Sequence, residues 1–240
     1  MGTYYNPRIV SDSLLFAVDA ANLKSYPGSG TSWLDLSGKN NHGTLNSGPV
    51  FVSGNLGAFL FDGTDDFANF GTDTSLIIGN SDFAISIWIK TPISSVGEGS
   101  PSAWGPILSK GCSTSAPAGS WWFAQNSTNN NRITFNGSSE AGGTFIMALT
   151  TPTLADGWHN IVITRIGTNS YLYTDGVLGV TDSTSATNLS NTSALLIGNS
   201  AIGSNKRTSM TLSQVNIYNR ALTASEIKQN FNATRGRYGI

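Results

Sequence analysis

The stretch from Gly157 to Val180 constrains the fold of this chain more than any other. Ile161 to Ile166 is a largely β-branched run of strand length, suited to a half- or fully buried strand. Gly167-Thr168-Asn169 interrupts it, and Gly and Asn tolerate the backbone of a tight reversal. Tyr171 to Thr174 then returns antiparallel. Asp175-Gly176 is the strongest hairpin signal in the chain, and Val177 to Val180 completes a three-strand meander. Trp158 and His159 enter the first of these strands as an amphipathic pair, suited to the rim of a sheet.

The same alternation recurs elsewhere. In Phe83 to Lys90, the side chains of Phe83, Ile85, Ile87 and Ile89 share one face, with Ala84, Ser86, Trp88 and Lys90 opposite. Leu14 to Val18, Trp121 to Phe123, Ile133 to Phe135, Phe145 to Leu149, Ser193 to Asn199 and Ser213 to Tyr218 read as further strands. One helix is predicted after Leu222. Thr223 as N-cap and Glu226 three residues on form a capping box, Leu222 staples against Ile227, and Ile227 and Phe231 share a face.

Trp-His-x-Ile-Val-Ile-Thr-Arg followed by Tyr-x-Tyr-x-Asp-Gly-Val resembles the central signature of the laminin-G-like, concanavalin A-like jelly-roll family. Asp35-x-Ser37-Gly38 followed by Asn41-His42-Gly43, the run Phe59 to Phe67, and Asn219 to Ile227 resemble other parts of that family. The resemblance implies an all-β fold, a two-sheet antiparallel jelly-roll sandwich with a short C-terminal helix. Its expected division is an N-terminal arm at 1–12, the jelly-roll domain at 13–233 and a C-terminal tail at 234–240. Buried between the sheets should be Phe83, Ile85, Ile87, Ile161, Ile163, Val215 and Ile217.

Composition narrows the function. The formal net charge is −1 and only 11% of residues are charged, so the electrostatic footprint of nucleic-acid binding is missing. No stretch reaches membrane-spanning length, and the first residues lack the apolar core of a signal peptide. Cys112 is the sole cysteine, which excludes an intrachain disulfide and reads as an inert thiol. Glucanases of this fold need a strand of the form Glu-x-Asp-x-(x)-Glu. The only Glu residues are Glu98, Glu140 and Glu226, and none lies in such a strand. With two histidines and no nucleophile motif, the chain reads as a non-enzyme.

Several residues are candidates for binding. Trp88, Trp104, Trp121 and Trp122 could stack on a sugar, although a Trp88 covered by an overlying loop fits at least as well. Asp62, Asp65 and Asp66 invite a Ca²⁺ ion, which takes clustered oxygen ligands. Turn-forming roles compete with this, and Ser213 stands where some relatives place a metal-holding Asp. His42 reads as a hydrogen-bonded loop histidine, and Asp35 and Ser37 as acceptors for loop N–H groups. Residues 94–120 form a long irregular stretch around the short strand at 105–110, where ligand contacts tend to sit.

The termini carry an assembly expectation. Tyr4, Tyr5, Arg235, Arg237, Tyr238 and Ile240 could grip a neighbouring subunit, the alternative being that both ends pack on their own domain. On that expectation, deleting 234–240 would abolish assembly and leave the fold and melting temperature nearly unchanged. The segments Asp19 to Asn22, Tyr26 to Gly30 and Asn232 to Ile240 resemble jelly-roll proteins of tailed phages. That implies a virion surface protein, a head decoration or a tail fibre or spike component. Its partners would be other virion subunits, itself as a homo-oligomer, and cell-surface glycans. A stand-alone carbohydrate-binding module is the alternative, with a glycoside hydrolase third.

Overall fold

The computed structural model describes residues 8–53, 57–96, 105–111, 117–126, 129–138, 147–183, 188–200 and 207–240. Trp104, Cys112, Tyr4 and Tyr5, together with Phe145, lie outside them. The strands among the described residues are β1 Leu14–Asp19, β2 Ser32–Trp33, β3 Gly43–Asn46, β4 Val50–Val52, β5 Ala58–Asp62, β6 Phe67–Asn69, β7 Phe83–Val96, β8 Gly105–Lys110, β9 Trp121–Asn126, β10 Asn129–Gly137, β11 Met147–Thr150, β12 Gly157–Ile166, β13 Asn169–Thr174, β14 Val177–Asp182, β15 Leu195–Ile197 and β16 Arg207–Tyr218. Helix α1, Ala224–Thr234, follows, with a 3₁₀ turn at Arg235–Tyr238.

Two antiparallel sheets result. The first runs β14-β13-β12-β7-β16-β5-β4, with β1 also pairing β16, and the second runs β11-β10-β9-β8-β15-β6-β3-β2. The expected meander forms β12, β13 and β14. Asp175 and Gly176 take φ of 53° and 75°, the left-handed pair that a two-residue hairpin needs to match strand twist. A Cβ at Gly176 would also crowd Lys228 and Phe231 of α1, at 3.1 and 3.3 Å.

The core lies between the sheets, as the alternation of β7 predicts. Phe83, Ile85, Ile87, Ile161, Ile163, Val215 and Ile217 are all fully buried. Ile163 pairs directly with Ile85 of β7 and Leu172 of β13. The second sheet answers with Ile107, Leu108, Trp121, Phe123, Ile133 and Phe135 in the same cluster. One strand differs from expectation: β7 continues through Val96 into the stretch read as irregular.

The predicted loop contacts are present. Asp35 accepts hydrogen bonds from the backbone N–H groups of Ala17, Ser37 and Asn41. His42 Nδ1 accepts from the Asp35 N–H at 3.1 Å. The capping box at Thr223 and Glu226 forms as predicted.

Helix α1 covers the outer face of the first sheet. Its Ile227, with Leu222, packs on Ala84, Val162, Tyr173 and Tyr218. Phe231, with Tyr238, packs on Ala58, Trp88 and Trp158.

Candidate functional site

That cover settles the position of Trp88. The sheet alternation turns its ring to the outer face, but it is only 2% exposed. Tyr238 stacks on it with ring centroids 3.9 Å apart, Phe231 lies 5.8 Å away, and its indole N–H donates to Thr234 Oγ1 at 3.0 Å. Trp88 is therefore not an open platform for a sugar. Its aromatic partners come from the chain's own C-terminus.

The tail is correspondingly occupied. Arg237 makes a two-pronged contact with Asp19, at 2.8 and 2.9 Å. It also donates to Ser213 Oγ, which accepts from the Tyr238 hydroxyl as well. Burial pushes the Tyr238 phenol up to about 12, against the opposing pull of the Arg237 charge. Of the four tail residues assigned to assembly, Arg237 and Tyr238 are thus committed to their own domain. Arg235 and Ile240 remain exposed. Ser213, where a metal-holding Asp was absent from the sequence, joins this network through a guanidinium instead.

The other tryptophans divide by strand alternation. Trp121 points inward, fully buried, against Phe135, so it is a core residue and not a ligand contact. Trp122 points to the outer face of the second sheet beside Ala124, yet is only 4% exposed, so it too is no open platform. Its directly paired neighbours are Asn136 on β10 and Ser109 on β8.

Pairing extends that row across the sheet, from Ala148 through Asn136, Trp122, Ser109, Leu196, Asn69 and Thr44 to Ser32. These are amides, hydroxyls and small or apolar groups without a charge. The adjoining row holds Thr134 and Thr150, whose hydroxyls meet at 2.8 Å. Asn136 is 3% exposed, and its Nδ2 has no hydrogen-bond partner. A buried amide donor left unpaired costs about 1–3 kcal/mol; the core indoles of Trp33 and Trp121 are unpaired in the same way. Asn136 was not singled out from the sequence.

A second cluster sits in the turn between β5 and β6. One carboxylate oxygen from each of Asp62, Asp65 and Asp66 lies within 4.8 Å of the others. Asp62 accepts from the Thr64 N–H, which holds its carboxyl low. Asp66 accepts from the Asp62 N–H. Burial, with the charges of Asp62 and Asp65 adding to it, raises Asp66. Three hard oxygen donors fit Ca²⁺ in kind, and loop carbonyls or water would have to complete the roughly six to eight ligands it takes.

His159 and Asp175 form a further polar pair. Nδ1 lies 2.8 Å from Asp175 Oδ2 and Nε2 lies 2.9 Å from the Ala155 carbonyl. Both partners can only accept when Asp175 is ionised, so the geometry suits a doubly protonated imidazolium. Burial opposes that charge, but the bonds to Asp175 and Ala155 outweigh it and raise the pKa above 6.5. At the helix start, the Arg220 guanidinium holds Glu226 down to about 2.

These two shifts predict a pH profile. The raised histidine stabilises the fold fully below 6.5, and that contribution is lost as pH rises through the higher folded value. The lowered glutamate stabilises above 4.5, and its contribution is lost as pH falls towards 2. Melting temperature should therefore be highest between 4.5 and 6.5. His159→Gln should flatten the decline on the alkaline side; an unchanged slope would remove His159 as its cause.

A family model described as the concanavalin A-like lectin/glucanases superfamily matches residues 62–228. The chain belongs to that family. Its laminin-G-like jelly roll is also similar to solved toxin domains. The binding domain of Paraclostridial Mosquitocidal Protein 1 is 19% identical, with a TM-score of 0.68 over 93% of this chain and 52% of that one. The binding domain of botulinum neurotoxin DC in complex with SialylT is 15% identical, with a TM-score of 0.68 over 93% and 52%. The same domain in complex with rat synaptotagmin II is 14% identical, again with a TM-score of 0.68 over 93% and 52%. This laminin-G-like chain therefore spans about half the length of those structures. No curated protein matches the sequence.

Proposed function

We propose that this laminin-G-like domain is a non-catalytic, glycan-binding surface protein of a tailed-phage virion, with the outer face of its second sheet as the ligand face. The observation that carries the glycan reading is the exposed, uncharged end of that row, Asn69, Thr44 and Ser32, Trp122 and Asn136 being buried. An amide and hydroxyls without a charge among them offer the hydrogen bonds that sugar hydroxyls take up. Members of this superfamily include lectins, and one structural neighbour was solved with SialylT. Placement on a virion rests on the resemblance of Asp19 to Asn22, Tyr26 to Gly30 and Asn232 to Ile240 to phage jelly rolls. There it would meet other virion subunits and a host-surface glycan.

Among the described residues, no helix is long and apolar enough to cross a membrane. The non-catalytic reading is supported by Glu226, which is consumed by Arg220 and the helix cap. The test is binding of the protein to an immobilised glycan panel, with reducing-sugar release measured in parallel. Retention of at least one glycan without sugar release is expected. Release that disappears in an Asp→Asn variant would make the protein a hydrolase, and no retention would remove the glycan function.

Ca²⁺ at Asp62, Asp65 and Asp66 is part of the same proposal. Millimolar calcium should raise the melting temperature by about 2 to 4 °C, the shift that about 1 kcal/mol of linked binding produces at this size. Asp65→Asn should abolish the difference between calcium and chelator. Equal melting with both in the native protein would leave the three aspartates as turn residues.

A further inference from the structure

Strand β6 carries an aromatic that the core does not use. Ala68 is fully buried and joins the core, so alternation sets Phe67 and Asn69 together on the outer face of the second sheet. Phe67 is half-buried and belongs to none of the apolar clusters among the described residues. On β3, Asn46 pairs with Phe67 and Thr44 with Asn69. Phe67 thereby adjoins the exposed, uncharged end of the row that runs from Ala148 to Ser32.

The two amides beside the ring are oriented by the backbone near them. Asn69 Oδ1 accepts from the Gly71 N–H at 2.9 Å, which leaves its Nδ2 as a donor. Asn46 Nδ2 donates to the Thr44 carbonyl at 2.8 Å, which leaves its Oδ1 as an acceptor. An aromatic ring flanked by a held donor and a held acceptor matches a pyranose. Its C–H groups pack on a ring face, while its hydroxyls both donate and accept.

Charge narrows the class of sugar. Asp62, Asp65 and Asp66 lie in the turn just before Phe67, and their carboxylates repel an anion. The Arg207 guanidinium lies over the ring, 5.6 Å from its centroid, and is itself held by Asn199 Oδ1. We propose that Phe67 is the stacking platform of this face and that its ligand is a neutral pyranose. The proposal rests on the glycan reading and adds to it a residue and a sugar class.

The test compares the native protein, Phe67→Leu, Phe67→Tyr and Asn69→Ala on the neutral and the acidic members of a glycan panel. Neutral members should be retained, and Phe67→Leu should weaken their binding by at least about fivefold. Phe67→Tyr keeps the ring and should bind within about twofold of the native protein. A role in packing alone would tolerate leucine. Native affinity in a folded Phe67→Leu overturns the platform; with Asn69→Ala weakened, the glycan reading survives it. Retention of acidic members only overturns the neutral class and likewise leaves that reading standing. If no member is retained, both fail together. If Phe67→Leu loses its cooperative melt, saturation transfer from the phenylalanine rings of the native protein decides. It should reach the C–H protons on one face of the sugar, and its absence overturns the proposal.

Discussion

Removing residues 235–240 should destabilise the domain by about 3 to 5 kcal/mol, the range for losing a large buried aromatic side chain. Tyr238 is 6% exposed and stacks on Trp88 at 3.9 Å. Its loss would bare both Trp88 and Trp158. Arg237 leaves with it, so Asp19, largely buried within its side chain's 13% exposure, loses its partner. Breaking a buried pair from one side is costly because the remaining charge stays desolvated. In a domain of this size the melting temperature should fall by roughly 6 to 20 °C. Arg237→Ala alone should show the charge part, and Tyr238→Phe should retain the stack while losing the hydroxyl's bond to Ser213. A truncated protein that melts within about 2 °C of the native one would mean the tail stabilises little. The sequence alone left both outcomes open, an end that grips a neighbour or one that packs on its own domain.

The second large effect is expected at the centre of the sandwich. Ile163→Ala should cost about 2 to 5 kcal/mol, because the deleted methyl groups leave a cavity that a close-packed core cannot fully collapse. Ile163 is fully buried and sits on the strand joining β7 to β13. Urea denaturation of both proteins measures the difference. The midpoint should drop while the denaturant slope stays constant, since the exposed surface on unfolding is nearly the same. A cost below about 1 kcal/mol would place Ile163 outside the tightly packed core.

Period-two alternation made the first sheet legible, because one buried face forces one register. The β7 pattern and the Asp175-Gly176 turn gave both the strands and the direction of Trp88. What alternation does not carry is the identity of the covering layer. Trp88 on an outer face reads equally as a ligand platform or as a docking site for the chain's own end. Deciding between them requires knowing that Tyr238 arrives 150 residues later in sequence. The tail stayed undecided for a related reason: Tyr238 and Arg237 are fixed by distant partners, Trp88 and Asp19, which no local pattern records.

The candidate ligand face was legible only in part. Trp121 and Trp122 are adjacent, so one had to face inward and one outward, and no local signal says which. Phe123 and Phe135 settle it once β9 and β10 are paired, since both join the core. Asn136 then falls beside Trp122. Its lack of a partner is a property of three-dimensional packing, and no sequence pattern announces it.

The central claim is that a glycan meets the exposed row of Asn69, Thr44 and Ser32, and amide NMR of the labelled protein tests it most directly. Titration with a glycan retained on the panel should move the Asn69 side-chain amide and the Thr44 and Ser32 backbone amides more than the buried tryptophan indoles. Asn69→Ala should weaken binding by about fivefold or more, as loss of one hydrogen bond implies. Shifts confined to other surfaces, with native affinity in Asn69→Ala, would contradict the account.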